Sequence, residues 1–417
     1  METGCVQIQQ IPQSDSGNTG KKPGRKKKSE TVPAAENETI TIQPLSDSDW
    51  EEDKDDYYMG SRSRRKIKRR PKALKDDYYL PKRKHIDIDK EKRVIHPAKN
   101  NENAASYRQV FPESNRAGLI GDALNLARAQ TIDYEVALNM TTYLKNEEKY
   151  VPWRAFVDSI EFIKGMISKQ GSYVLLRKYL HDLVAPVFDT VGTSTSGTLP
   201  EQHMRDVMLQ TACDVGVVKA INYAKEMFRK WKTEGIKLPS QYSLVIYTVG
   251  VREGSVEEWD YVWNKSKSSN VDGEREMLMD ALAQSQKPWL LWRYANWIFD
   301  SSKIKMQDVR LVVSYFAKNP LGRMIALHLL MTKWERLNEQ FGGDNFLLRE
   351  TIGEVTQYVN TEFEYKQLER LFRDKPPKVA KKEAENALAL MRANIKWMEL
   401  NYATITNWLR DHVVGML

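Results

Sequence analysis

The chain divides by its pattern of apolar and polar positions. Through residue 104 large apolar side chains are sparse and Ser, Lys, Asp, Glu and Pro dominate. Such a stretch cannot bury enough apolar surface to offset the entropy of ordering, so residues 1–104 are expected to be a disordered tail. From Ser114 onward apolar residues recur at helical spacing, interrupted at Gly, Pro and Asn-containing turns. The spacing predicts a first helix over Asn115–Ala129, with Leu119, Ile120, Ala123, Leu124 and Ala127 on one face and Ser114 as its N-cap. A second helix is expected over Tyr134–Lys145. Pro152, Pro200, Pro239, Pro288 and Pro320 mark further helix starts, where a missing amide hydrogen costs nothing. The β-prone Val245-Ile246-Tyr247 lies between helical segments and reads as buried helix, and Lys378–Val413 reads as one or two long helices.

Roughly 14–16 helices and no convincing strand follow from this periodicity. Short helices joined by short turns imply stacked pairs, so the fold class expected for 105–417 is all-α, an irregular armadillo- or HEAT-like helical solenoid without a fixed sequence period.

Net charge is +8. The tail carries 23 Lys and Arg against 18 Asp and Glu, so the basic excess is concentrated there. Lys54-Asp55-Asp56-Tyr57-Tyr58 recurs as Lys75-Asp76-Asp77-Tyr78-Tyr79, each copy followed by basic residues. Arg25, Lys26, Lys27 and Lys28 form a degenerate minor-groove hook with Lys26 where proline would stand. With Arg62, Arg64, Arg65, Lys66, Lys68, Arg69 and Arg70 they are candidate contacts for nucleic acid or an import receptor, because each neutralised phosphate releases counterions. Nothing in the tail reads base edges, and a solvated charged linker fits the same composition. Ser14, Ser16, Ser46 and Ser48 stand beside acids as candidate phosphorylation sites.

The two cysteines, Cys5 and Cys213, exclude a disulfide framework and a cysteine-rich zinc site. The first ten residues lack the charged-then-apolar pattern of a signal peptide, and no run is long and apolar enough to span a bilayer. The cytoplasm or nucleus is the compartment these features imply. Three N-glycosylation sequons begin at Asn37, Asn139 and Asn264.

Several stretches of the helical region resemble one known family. They are Asn115-Arg116-Ala117-Gly118-Leu119-Ile120-Gly121-Asp122-Ala123-Leu124, the run from Tyr143 through Tyr150-Val151-Pro152-Trp153, and Gly254-Ser255-Val256-Glu257-Glu258-Trp259-Asp260. Pro288-Trp289-Leu290-Leu291-Trp292-Arg293-Tyr294, Asn319-Pro320-Leu321-Gly322-Arg323 with Trp334, and Asn394-Ile395-Lys396-Trp397 with Trp408 continue the series. In this order they resemble the C-terminal domain of the zinc aminopeptidases of the aminopeptidase N, glutamyl aminopeptidase and endoplasmic-reticulum aminopeptidase type. The resemblance implies a bowl of helices that covers a catalytic domain and encloses a peptide cavity, so a peptide or protein partner is expected on the concave face. It also implies a membrane, extracellular or lumenal setting, at odds with the tail. A splice form, a gene fusion or a faulty gene assignment near residue 105 would reconcile the two halves.

Within that family Trp153, Trp259, Trp289, Trp334, Trp397 and Trp408 read as core aromatics, with Tyr294 beside them. Arg116, Asp122, Arg293 and Arg323 read as makers of helix-end and interhelix bonds, and Asn115 opens the first motif. The family's chemistry needs zinc on two histidines four residues apart, with a glutamate between them as general base. The six histidines, His85, His96, His181, His203, His328 and His412, include no such pair, and the Gly-x-Met-Glu-Asn motif that holds the substrate amine is absent. No catalytic residue, metal ligand or cofactor is therefore expected in this chain, although full-length members carry zinc. Three readings stay open: a non-catalytic relative that binds peptide or protein, a fragment of an active aminopeptidase, and a nuclear scaffold with a basic tail.

Overall fold

The computed structural model describes residues 111–342, 345–377 and 379–413, all within the compact unit Lys84–Leu417. The expectations for the tail, including the basic residues from Arg25 to Arg70, lie outside the described residues.

The described residues are all-α. Sixteen α-helices follow one another: α1 Glu113–Arg128, α2 Tyr134–Asn139, α3 Tyr150–Ile167, α4 Ser172–Val191, α5 Leu199–Val215, α6 Val218–Glu234, α7 Ser243–Glu253 and α8 Val256–Ser268, then α9 Asp272–Ala283, α10 Pro288–Trp297, α11 Met306–Lys318, α12 Pro320–Thr332, α13 Trp334–Phe341, α14 Asn345–Thr356, α15 Glu362–Asp374 and α16 Lys381–Val413. Single 3-10 turns occupy Thr142–Asn146 and Ser240–Tyr242.

The sequence-level boundaries need two corrections. Helix α1 begins one residue before the expected cap: Pro112 stands at the N-cap with extended backbone, and Ser114 lies inside the first turn. Glu113 in that turn favours the positive helix end, and its carboxylate accepts from the Val151 amide at 3.2 Å. The expected helix Tyr134–Lys145 is cut at Asn139. There the Thr141 hydroxyl donates to the Leu138 carbonyl at 2.7 Å and Thr142 to the Asn139 carbonyl at 2.8 Å, and the chain tightens into the 3-10 turn. Threonines that bond back to nearby carbonyls compete with helix continuation.

Elsewhere the local chemistry agrees with the pattern. Pro200, Pro288 and Pro320 occupy first-turn positions, and capping boxes close the starts of α5 (Thr198 with Glu201) and α8 (Ser255 with Glu258). Val245, Ile246 and Tyr247 are buried in α7. Pro186 is accommodated inside α4.

Most packing joins helices that are neighbours or next-neighbours in the chain, such as α1 with α3, α3 with α5, α5 with α7, α7 with α9 and α9 with α11. One apolar core runs through all of them from Ile120 to Val413. Close approaches are made by glycine: a Cβ on Gly250 of α7 would stand 2.1 Å from the Phe228 ring of α6. The last helix breaks the sequential rule. Helix α16 packs on α14 and α15 but also on α2, α3 and α4, bringing the C-terminal segment onto the first helices. Asn394 anchors it by donating to the carbonyls of Gln357 and Val359, at 2.9 and 3.1 Å.

Candidate functional site

Helix α3 carries a glycine, Gly165, among its buried positions Ile163, Met166 and Ile167. The absent side chain lets the Tyr358 ring, from the segment after α14, lie against the helix: a Cβ on Gly165 would be 2.2 Å from its Cε1. That segment is tied down two residues later, where Asn360 donates to the Met166 carbonyl at 2.6 Å. Over the ring sits Arg323 of α12, its guanidinium carbon 4.5 Å from the centroid.

Arg323 is the unusual group of the molecule. Its side chain is only 8% exposed, yet Nε and Nη1 meet no hydrogen-bond partner, and no carboxylate lies within ion-pairing distance among the described residues. Burial pulls its pKa below the usual arginine value, while Tyr358 beside it, and Glu161 and Tyr173, act in the opposite sense. The Glu161 carboxylate is engaged with Lys164 at 2.6 Å. Burial lowers the affinity of Lys164 for its proton, but the carboxylates of Glu161 and Asp214 outweigh it, so its pKa rises and it stays charged. On the same helix, Phe162 carries Arg128 stacked on its ring at 3.8 Å. The result is a half-buried centre, built by α3, α4, α12 and the segment after α14, with positive charge in excess and aromatic faces on offer.

The other singled-out residues divide by what they do. Arg116 bonds Glu147 twice, at 2.7 and 3.1 Å, and the Glu147 carboxylate also accepts from the amides of Glu148 and Lys149. Trp153 donates to the Glu147 carbonyl at 2.8 Å, so one motif residue fixes the bend that another neutralises. Arg293 lies over Trp259 at 4.3 Å and pairs with Asp260 at 2.5 Å, while Trp259 donates to the Leu282 carbonyl and Tyr294 to that of Met279. Trp334 donates to the Lys375 carbonyl, Trp397 to the Tyr134 hydroxyl and Trp408 to the Asn139 side chain. All of these tryptophans are core.

Three expectations fail. Trp289 is 60% exposed at the start of α10 rather than packed in the core. The Arg323 side chain makes no interhelix hydrogen bond, only the stack on Tyr358. Asp122 is half-buried without a hydrogen-bond partner among the described residues. Asn115, which opens the first motif, stands exposed at the start of α1. Sequence reasoning missed Tyr358, Lys164 and Glu161. The one signal was Gly165, since a lone glycine in an apolar helix marks a close approach.

Zinc, which the sequence resemblance implies for full-length relatives, does not fit the described residues. No group of three or more His, Cys, Asp and Glu side chains among them could hold a metal ion. Each described histidine has another neighbour: His181 meets Asp182, His203 stacks on Tyr150, His328 meets the Trp292 ring edge-on, and His412 stacks on Trp408 at 3.8 Å. The Cys213 thiol is buried and pushed up to about 12, far from the range of a reactive nucleophile. No described helix is long and apolar enough to cross a membrane.

Comparison with known proteins places these features in context. The family model described as the ERAP1-like C-terminal domain matches residues 93–393. Aminopeptidase N of Bos taurus is 33% identical over 319 residues, covering 74% of this chain and 33% of its own. Aminopeptidase Ey of Gallus gallus is 31% identical over 317 residues, covering 73% and 33%. Glutamyl aminopeptidase of Bos taurus is 32% identical over 304 residues, covering 72% and 32%. The chain thus spans about a third of the length of the curated relatives it matches.

Proposed function

This chain belongs to the ERAP1-like C-terminal domain family, and from that membership we propose that it is a non-catalytic binding module whose helical layers form a bowl receiving an extended peptide or a partner protein on the concave face. The observation that carries the reading is the centre around Arg323, Tyr358 and Lys164. Fixed positive charge beside aromatic faces suits backbone carbonyls and acidic side chains, and the carboxylate there, Glu161, is engaged with Lys164. The sequence supports the non-catalytic part, since none of its six histidines is four residues from another.

The test is zinc content and hydrolysis of a panel of aminoacyl-coumarins by the purified chain, with and without added zinc, together with fluorescence anisotropy of labelled peptides. The expected result is no turnover and saturable peptide binding that weakens in R323Q and K164Q. Stoichiometric zinc with chelator-sensitive turnover would overturn the reading.

A second reading is favoured by the share of the relatives that the chain matches. In it the domain is the C-terminal part of a longer zinc aminopeptidase that removes N-terminal residues from peptides. Transcripts that join this sequence to an upstream His-Glu-x-x-His segment would decide for it.

A further inference from the structure

A guanidinium that keeps its charge at all accessible pH values cannot escape the cost of burial by losing a proton. Buried charges in proteins are accordingly paired, and a lone one costs several kcal/mol. Arg323 departs from this rule. It is 8% exposed, its Nε and Nη1 donors are unpartnered, and Tyr358 covers one face with no charge of its own. The charges nearby do not compensate it. Glu161, the one carboxylate that acts on it, is committed to Lys164 at 2.6 Å. Arg128, stacked on Phe162 at 3.8 Å, is exposed to solvent and so lies outside the buried charge balance. One positive charge is left over in a nearly closed setting, on a side chain held in place by a ring that Gly165 locks against α3.

The geometry points to a binding site for one small monovalent anion at Arg323, with Nε and Nη1 as donors and Tyr358 as the wall. A single negative charge balances the one positive charge that is both buried and unpaired. The low exposure favours a small ion with a modest hydration cost, such as chloride or the carboxylate of formate, over a divalent oxyanion. Anion binding stabilises the folded state by mass action, since the unfolded chain holds no such site. The inference rests on geometry alone and stands whether or not the chain binds peptide.

The experiment is a set of thermal melts of the purified full chain at constant ionic strength, with sodium isethionate replaced stepwise by chloride, and in parallel by formate or sulfate. Wild type is expected to gain roughly 2–4 °C in Tm as chloride or formate rises, and less with sulfate. R323M is expected to lose that dependence while being at least as stable as wild type in isethionate, because an apolar isostere removes an uncompensated charge. Equal destabilisation of R323M in every salt would overturn the proposal, as would a wild-type Tm indifferent to the anion, which would mean that the guanidinium donates to water. Should R323M fail to fold, the chloride-35 resonance of wild-type solutions decides. Saturable line broadening that formate displaces and R323Q lacks is expected, and its absence overturns the proposal.

Discussion

The indole nitrogen of Trp397 lies 3.1 Å from the phenolic oxygen of Tyr134 and donates to it, across 263 residues of sequence. The two rings also meet edge to face at 5.4 Å, and Phe162 of α3 meets the same indole at 5.2 Å. This contact holds the last helix on the first ones. W397F removes the hydrogen bond and leaves a buried hydroxyl, for a loss of about 1–2 kcal/mol. W397A adds a cavity and should cost about 3–5 kcal/mol. Urea denaturation measures both, and hydrogen exchange should show α2 and α16 losing protection together.

Arg116 and Glu147 form a buried ion pair whose partners are not equivalent. Glu147 is fully buried and serves Arg116 together with two backbone amides, whereas Arg116 contributes beyond the pair one bond to the Phe111 carbonyl. E147A therefore strands a buried guanidinium and two amides at once, at a cost of about 3–5 kcal/mol. E147Q keeps an acceptor for the amides and should lose clearly less. Equal losses for the two variants in denaturant melts would show that the amide bonds, and not the charge, are dispensable.

The contrast between these two contacts explains how far the sequence could be read. Helix number, the proline starts at 200, 288 and 320, and the buried Val245-Ile246-Tyr247 turn follow from periodicity and local chemistry, which act within a few residues. The break after Asn139 was missed because it depends on two threonine hydroxyls outbidding the helix, a competition that periodicity does not record. The centre at Arg323 was missed for a different reason. Its parts come from Gly165, Arg323 and Tyr358 on three distant segments, and only Arg323 stood inside a recognisable motif. There it read as a bonded structural arginine, because the absence of a partner is a tertiary fact.

Trp259 and Trp289 belong to neighbouring motifs yet should behave differently. Trp259 is fully buried, bonded to the Leu282 carbonyl at 3.2 Å and covered by Arg293, whereas Trp289 projects from the first turn of α10. W259A should cost about 3–5 kcal/mol. W289A should change stability by no more than about 0.5 kcal/mol. Because its indole is mostly in water, Trp289 is also the better reporter of a partner. Its emission should shift to the blue on binding if that face is used, and W289F should abolish the shift without altering the melting curve.

Acid should weaken the fold through Glu258 in a defined window. Burial alone would raise its pKa, but the Lys232 ammonium at 2.7 Å and the hydroxyl and amide of Ser255 overcome this and hold it down to about 2. A carboxylate whose folded pKa is depressed contributes stability above its unfolded pKa, and that contribution drains away as pH falls through the folded value. Glu258 should therefore support the fold fully at pH 7, begin to lose its contribution near the ordinary glutamate value of about 4.3, and have lost most of it near pH 2. E258Q keeps the capping geometry of α8 while removing the charge, so it should be less stable than wild type by about 1 kcal/mol at neutral pH. That gap should close as the pH falls below 4. A gap that stays constant from pH 7 to pH 3 in parallel urea titrations would mean that the hydrogen bonds of the capping box, rather than the ionised carboxylate and its lysine, secure the start of this helix.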